Sequence, residues 1–116
     1  MSWSVDIPGQ PPTTNHLYVR VRGDWNKMAK APGVAAYQDT AVMLTRLAKP
    51  PGFKVDGQLR IAFAFYLRRD ADCDNLMKAI QDSIAIALDT NDRLFLPCTT
   101  HKSTGHQLPH TIVTVG

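Results

Sequence analysis

Leu59-Arg60-Ile61-Ala62-Phe63-Ala64-Phe65-Tyr66-Leu67-Arg68-Arg69-Asp70-Ala71-Asp72-Cys73-Asp74-Asn75-Leu76-Met77-Lys78 is the stretch that decides how this chain folds. It opens as a strand: Leu59, Ile61, Phe63, Phe65 and Leu67 fall on one face, Arg60, Ala62, Ala64, Tyr66 and Arg68 on the other. The alanines and the tyrosine of the second face predict burial on both sides near the middle of the strand. Period two then gives way to helical spacing, with Leu76, Ile80, Ile84, Ala87 and Leu88 forming the apolar side of a helix expected from Asn75 to Leu88. Between the two patterns stand Asp70, Asp72 and Asp74 at alternate positions, and Lys78 follows one helical turn after Asp74.

Upstream, Trp3, Val5 and Ile7 alternate with Ser4 and Asp6, a short strand closed by Pro8-Gly9. Pro11-Pro12-Thr13-Thr14-Asn15 predicts a rigid loop, because consecutive prolines remove backbone donors. Tyr18 to Arg22 alternates again and, if extended, places Tyr18, Arg20 and Arg22 on one face, where they could follow a phosphate backbone. An ordinary solvated strand edge explains the same pattern. Trp25, Lys27 and Lys30 carry the basic and aromatic character through a Gly-containing loop. Val34, Tyr37, Ala41, Leu44 and Ala48 then mark a helix, stopped by Pro50-Pro51-Gly52, with Gln38, Asp39, Thr45 and Arg46 mostly elsewhere on its circumference.

Downstream, Asp89-Thr90-Asn91-Asp92 ends the second helix with acids that oppose its dipole. Two short strands close the chain, around Cys98 to Lys102 and Thr111 to Val115. The expected fold is α+β: a single domain over residues 1–116, with a mixed β-sheet and two main helices in β-α-β-α-β-β order and one extra strand near Tyr18.

The chain has 116 residues, enough for one domain with a real core, and its 44% hydrophobic content is that of a globular protein. No apolar run approaches the roughly 20 residues that span a bilayer. The first residues, Met1 to Asp6, show no basic segment followed by an apolar one, so the expected home is the cytoplasm, with no membrane partner. Cys73 and Cys98 lack CxxC spacing and are read as reduced thiols. All ten acids are Asp, for which we have no physical account. Net charge is +3, but setting Asp70, Asp72, Asp74 and Asp92 aside leaves thirteen bases against six acids, an excess that favours a polyanionic partner.

Three like charges within five residues repel one another and call for a compensating cation or full exposure. An oxygen-only cluster suits a hard ion such as magnesium or manganese; zinc would want His and Cys. The simpler alternative is a solvated loop and a helix N-cap. An EF-hand beginning at Asp70 fails, since Asn75 stands where Gly is required and Gln81 where a bidentate Glu belongs. His101, His106 and His110 match no zinc signature and read as surface histidines, and the chain has no Gly-rich phosphate loop and no GxSxG elbow.

The string Asp72-Cys73-Asp74-Asn75-Leu76-Met77-Lys78, followed after a helix by Asn91-Asp92, resembles the signature of the RusA family of Holliday junction resolvases, the crossover junction endodeoxyribonucleases. The likeness extends to the Pro11–Asn15 loop, the Tyr18 to Arg22 stretch, Tyr37-Gln38-Asp39 and the order of elements, and so covers most of the chain. It implies a Mg2+-dependent nuclease, with Mn2+ as a substitute, that acts as a homodimer and resolves branched DNA by paired symmetric nicks in recombination and repair. Asp72, Asp74 and Asp92 would be its catalytic, magnesium-binding carboxylates and Lys78 its active-site lysine, while Asp70 is an extra acid and Asp89 shares a segment with Asp92. Arg20, Arg22, Lys27, Lys30, Arg68 and Arg69 are candidate DNA contacts. Two other readings stay open: a non-cleaving module that binds DNA junctions, and a nuclease for other branched DNA such as flaps.

Overall fold

The computed structural model describes residues 2–13, 18–21, 23–31 and 33–116; Arg22, the side chains of Arg20 and Lys27, and the Thr14-Asn15 part of the proline loop lie outside the described residues. Strand β4 (Leu59–Tyr66) stands where the alternation placed it. On one side it pairs antiparallel with β6 (His110–Val115), and on the other parallel with β5 (Phe95–Ser103). Strand β1 (Trp3–Pro8) lies beyond β6, so the sheet runs β1-β6-β4-β5.

A parallel pair needs a crossover, and helix α2 (Cys73–Ala87) supplies it. The helix leaves the carboxyl end of β4 and returns the chain to the other end, so that Leu59 lies opposite Phe95 and Tyr66 opposite Ser103. Helix α1 (Val34–Ala48) packs beside α2. Ala41, Leu76, Ile80 and Ile84 from the two helices share one core with Ile61, Phe63 and Phe65 of the sheet. The result is a single α+β domain of two layers, as the periodicities predicted. Among the described residues no helix is long and apolar enough to cross a membrane.

Four details differ from the sequence reading. Asp24 to Lys30 is not a loop but strand β3, antiparallel to β2 (Tyr18–Val21) in a separate two-stranded ribbon. Gly23, at φ 86°, supplies the left-handed residue of the turn between them. Asp-Trp-Asn-Lys-Met-Ala-Lys has no apolar alternation, so pairing, not a hydrophobic face, makes it a strand.

Strand β5 begins at Phe95 instead of Cys98, because buried Phe95 joins the core and the edge position tolerates Pro97. The second face of β4 is less covered than expected: Ala62, Ala64 and Tyr66 are half-buried. Thr45, expected off the apolar stripe of α1, is fully buried, its hydroxyl donating to the Ala41 carbonyl at 2.7 Å.

Candidate active site

The chain leaves the sheet under tight backbone control. Leu67 donates its amide to the Ser103 carbonyl at 2.8 Å and accepts from the His106 amide at 3.0 Å. Gln10, just beyond β1, braces the next two residues: its amide oxygen accepts from Arg68 N at 2.8 Å and its Nε2 donates to the Arg69 carbonyl at 3.0 Å. Lys102, near the end of β5, reaches across with Nζ to Asp70 Oδ1 at 2.9 Å and the Ala71 carbonyl at 3.1 Å. The acidic segment is thus fixed from both flanks before α2 begins.

The acids then differ in what they do. The bond from Lys102 holds the Asp70 carboxyl below the usual carboxylate range, and the bond to Asp70 raises the Lys102 ammonium, with the charges of Asp70, Cys73 and Asp72 adding to the rise. Asp70, the extra acid of the sequence pattern, is therefore occupied by a lysine. Asp72 is the N-cap residue of α2, with extended backbone and its carbonyl accepting from Asn75 N at 3.0 Å, yet its side chain makes no capping hydrogen bond. An N-cap aspartate ordinarily spends its carboxylate on the N2 or N3 amide. Here that carboxylate is exposed and not used for capping, and Asp74, also exposed, follows in the first turn.

At the other end of α2, Asp89 sits at φ 53°, a left-handed conformation that aspartate tolerates better than most residues. Thr90 N donates to the Ala85 carbonyl at 2.9 Å and Asp89 N to the Ile86 carbonyl at 3.1 Å, a helix stop in backbone terms. Asn91 caps the following 3-10 turn (Asp92–Leu94), its Oδ1 accepting from Arg93 N at 3.0 Å, and Asp92 opens that turn half-buried. Asp92 borders a hollow of about 410 Å³ that Lys78, Asp82, Lys30 and Gln38 also line. Within it Lys78 Nζ donates to Asp82 Oδ1 at 3.1 Å, one turn along the helix, and Lys30 Nζ donates to Gln38 Oε1.

The structure therefore brings Lys78 and Asp92 to one hollow, and Asp72 and Asp74 to the start of α2, as its N-cap and a first-turn residue. Fifteen residues of helix, roughly 20 Å at 1.5 Å per residue, separate the start of α2 from its end. Among the described residues no three His, Cys, Asp or Glu side chains come together closely enough to hold a metal ion. The exposed carboxylates of Asp72 and Asp74 are hard oxygen donors, and magnesium is commonly held by one or two carboxylates together with waters and substrate phosphates. In chemistry that pair fits such an ion; a third carboxylate from Asp92 of the same chain does not reach it in this arrangement.

Of the basic candidates, Arg68 and Arg69 are exposed at the loop end of the sheet and Lys30 at the hollow. Sequence reasoning missed Lys102 and Gln10 as supports. Nothing local marks them, since each meets the acidic segment only through strand register, across 32 residues for Lys102 and 58 for Gln10. Both cysteines are free thiols, and burial pushes Cys98 up in pKa, away from the thiolate form.

No curated protein matches the chain. Residues 8–116 match the family described as Endodeoxyribonuclease RusA, so an exposed acidic loop at the end of a rigid strand and the hollow beyond its helix sit inside the matched region. The chain belongs to the RusA family of endodeoxyribonucleases.

Proposed function

We propose that this protein is a Mg2+-dependent endonuclease that resolves Holliday junctions by paired nicks, working as a homodimer. The observation that carries the reading is the Asp72 carboxylate, left without a capping bond at a helix start, with Asp74 in the first turn after it and the loop before it fixed by Gln10 and Lys102. An aspartate that merely capped the helix would be spent on a backbone amide.

Asp72 and Asp74 would hold the metal. When bound, magnesium lowers the pKa of the attacking water, offsets charge on the scissile phosphate and steadies the leaving oxygen. The water oxygen bonds to phosphorus as the bond to the 3′ oxygen breaks, leaving a 5′ phosphate and a 3′ hydroxyl. Lys78 is an ammonium at neutral pH and so a poor base; its part is to place positive charge against the phosphate. Arg68, Arg69 and Lys30 supply further phosphate contacts.

Asp92 takes part from a second copy. Among the described residues it does not gather with Asp72 and Asp74 of its own chain into a three-carboxylate group. In a twofold dimer the contact is reciprocal: if Asp92 of one copy meets Asp72 and Asp74 of the other, the reverse holds too. Two composite sites then face two strands of the junction, which is what matched nicks require.

The test is cleavage of a synthetic four-way junction, a flap and a linear duplex, with and without magnesium. Nicks on two opposed strands of the junction, dependent on magnesium and weak on duplex, are the expected result. Binding without nicking across several divalent ions would show a non-catalytic junction binder, and preference for the flap would move the substrate class.

A further inference from the structure

The carboxyl end of the sheet carries a second feature, the connection between β5 and β6 at residues 104–109. It lies at the surface yet is pinned along its length. His106 N donates to the Leu67 carbonyl at 3.0 Å, the Arg68 guanidinium to the Gln107 carbonyl at 2.6 Å, and Gly9 N to the Pro109 carbonyl at 2.8 Å. The His106 ring shares a 2.9 Å hydrogen bond with Ser103 Oγ and meets Tyr66 edge-on at 5.3 Å, while His110 stacks on Tyr66 at 4.8 Å. A segment held this way loses little further freedom when a partner docks.

Leu108 in this connection is 85% exposed, more than any other large hydrophobic side chain among the described residues. A single exposed leucine is ordinary. This one stands on a fixed loop between two hollows, about 410 Å³ beside Arg68 and His106 and about 850 Å³ beside Pro8, Pro109 and His110. Arg68 borders both hollows, and Arg69 follows it, exposed, immediately before Asp70. Two carboxylates at this end are already engaged, Asp6 Oδ1 lying 2.8 Å from His110 Nδ1 and Asp70 Oδ1 2.9 Å from Lys102 Nζ, and the exposed pair Asp72 and Asp74 is the one the nuclease reading assigns to the metal. The surroundings of Leu108 therefore suit an apolar surface flanked by anions.

DNA presents that combination where base stacking is interrupted. A rigid apolar side chain can replace the lost stacking neighbour while guanidinium groups take the flanking phosphates. A continuous duplex must first be opened to receive it, whereas a branch point is already discontinuous.

We propose that Leu108 is a stacking wedge for branched DNA, packing on the base-pair face at the exchange point while Arg68 and Arg69 hold the adjacent phosphates. The proposal rests on the nuclease reading above and adds the element that separates branched from continuous DNA.

The experiment uses the full chain in calcium, which keeps the junction uncut, with 2-aminopurine placed at the branch. Its emission rises when it leaves its base neighbours. Wild-type protein is expected to raise emission and to prefer junction over a duplex of the same sequence. Leu108→Ala should lose the emission change and reduce that preference by roughly tenfold or more, with duplex affinity kept within about twofold. Leu108→Phe should retain both signals, because it keeps an apolar face. If the wild type cuts junctions in magnesium and Leu108→Ala matches it in emission and preference, the wedge is wrong and the nuclease reading stands. If the wild type neither binds nor cuts a junction, both fall.

Discussion

At its amino end α2 grows out of a loop tied to the segment after β1 by Gln10 and to β5 by Lys102; at its carboxyl end it stops on a left-handed Asp89 and gives way to an open hollow. The first end has its acids in place before any ligand arrives, with Asp70 neutralised and the carboxylates of Asp72 and Asp74 exposed. The hollow, reaching from Lys78 in the second turn of α2 to Asp92 beyond its end, offers a lysine, its aspartate partner and a further carboxylate. A motif that looks like one site along the sequence does not close into one metal site within this chain, since no three of its carboxylates gather among the described residues. The proposed homodimer would let a second copy bring its Asp92 to the Asp72 and Asp74 pair.

The sharpest way to break this comparison is to disable the two ends in different chains. Asp74→Asn alone should lower junction cleavage by roughly a thousandfold, the loss expected when several kcal/mol of metal-based stabilisation disappear, while junction binding persists. Asp92→Asn should do likewise. In a mixed dimer of the two variants, a composite arrangement leaves one site with every residue intact, because Asp74 of one copy faces Asp92 of the other. Mixing should therefore restore nicking of a single strand, read on a junction labelled on each strand in turn. A mixture as inactive as its components would mean that Asp92 serves the chain that carries it, and the composite arrangement would fail.

Much of this was legible in residues 59–78. The β4 alternation fixed the buried face, and all five predicted residues, Leu59 to Leu67, are buried. The helical spacing gave α2 its core side, with Leu76, Ile80 and Ile84 fully buried. The ends of α2 were also readable within two residues, although the distance between them carried no meaning until β5 was known to run parallel to β4. Parallel pairing forces the helix to carry Asp92 away from Asp72. The alternation near Tyr18 marks β2, but its partner β3 escaped notice because backbone pairing leaves no mark in a polar segment, and Lys102 escaped because its partner is set by register between distant strands.

A milder perturbation asks whether the tether at the amino end matters to the acids it supports. Lys102→Ala removes both bonds that hold Asp70 and Ala71, leaving Gln10 as the remaining brace described here. The magnesium concentration for half-maximal cleavage is expected to rise by about tenfold, the scale of a lost outer support in a metal site. Direct calorimetric titration with Mn2+ should show the same weakening without DNA, and Lys102→Arg should recover most of it. The pair also has a pH signature. Asp70 has a lowered pKa, so its contribution is present above the ordinary carboxylate value and fades as acid titrates through the depressed one. Lys102 has a raised pKa, so its contribution is present below the ordinary lysine value and fades as pH climbs through the elevated one. The tether is intact at neutral pH, and amide shifts of residues 70–72 should move only below about pH 4 and above about pH 10.

The smallest effect belongs to the hollow, where Lys78 and Asp82 form an i,i+4 pair with the lysine side chain 52% exposed. Such pairs stabilise a helix by about 0.2–0.5 kcal/mol, so Asp82→Asn should barely shift thermal unfolding. Its effect on DNA should still be visible. A phosphate entering the hollow competes with the Asp82 carboxylate for the Lys78 ammonium and is repelled by Asp82, so removing that charge is expected to tighten junction binding about two- to threefold at low salt. The gain should shrink as ionic strength rises and the Debye length falls below about 10 Å. Binding isotherms at two salt concentrations decide the matter: an affinity unchanged at low salt would place the DNA away from this hollow and leave Lys78 a structural residue.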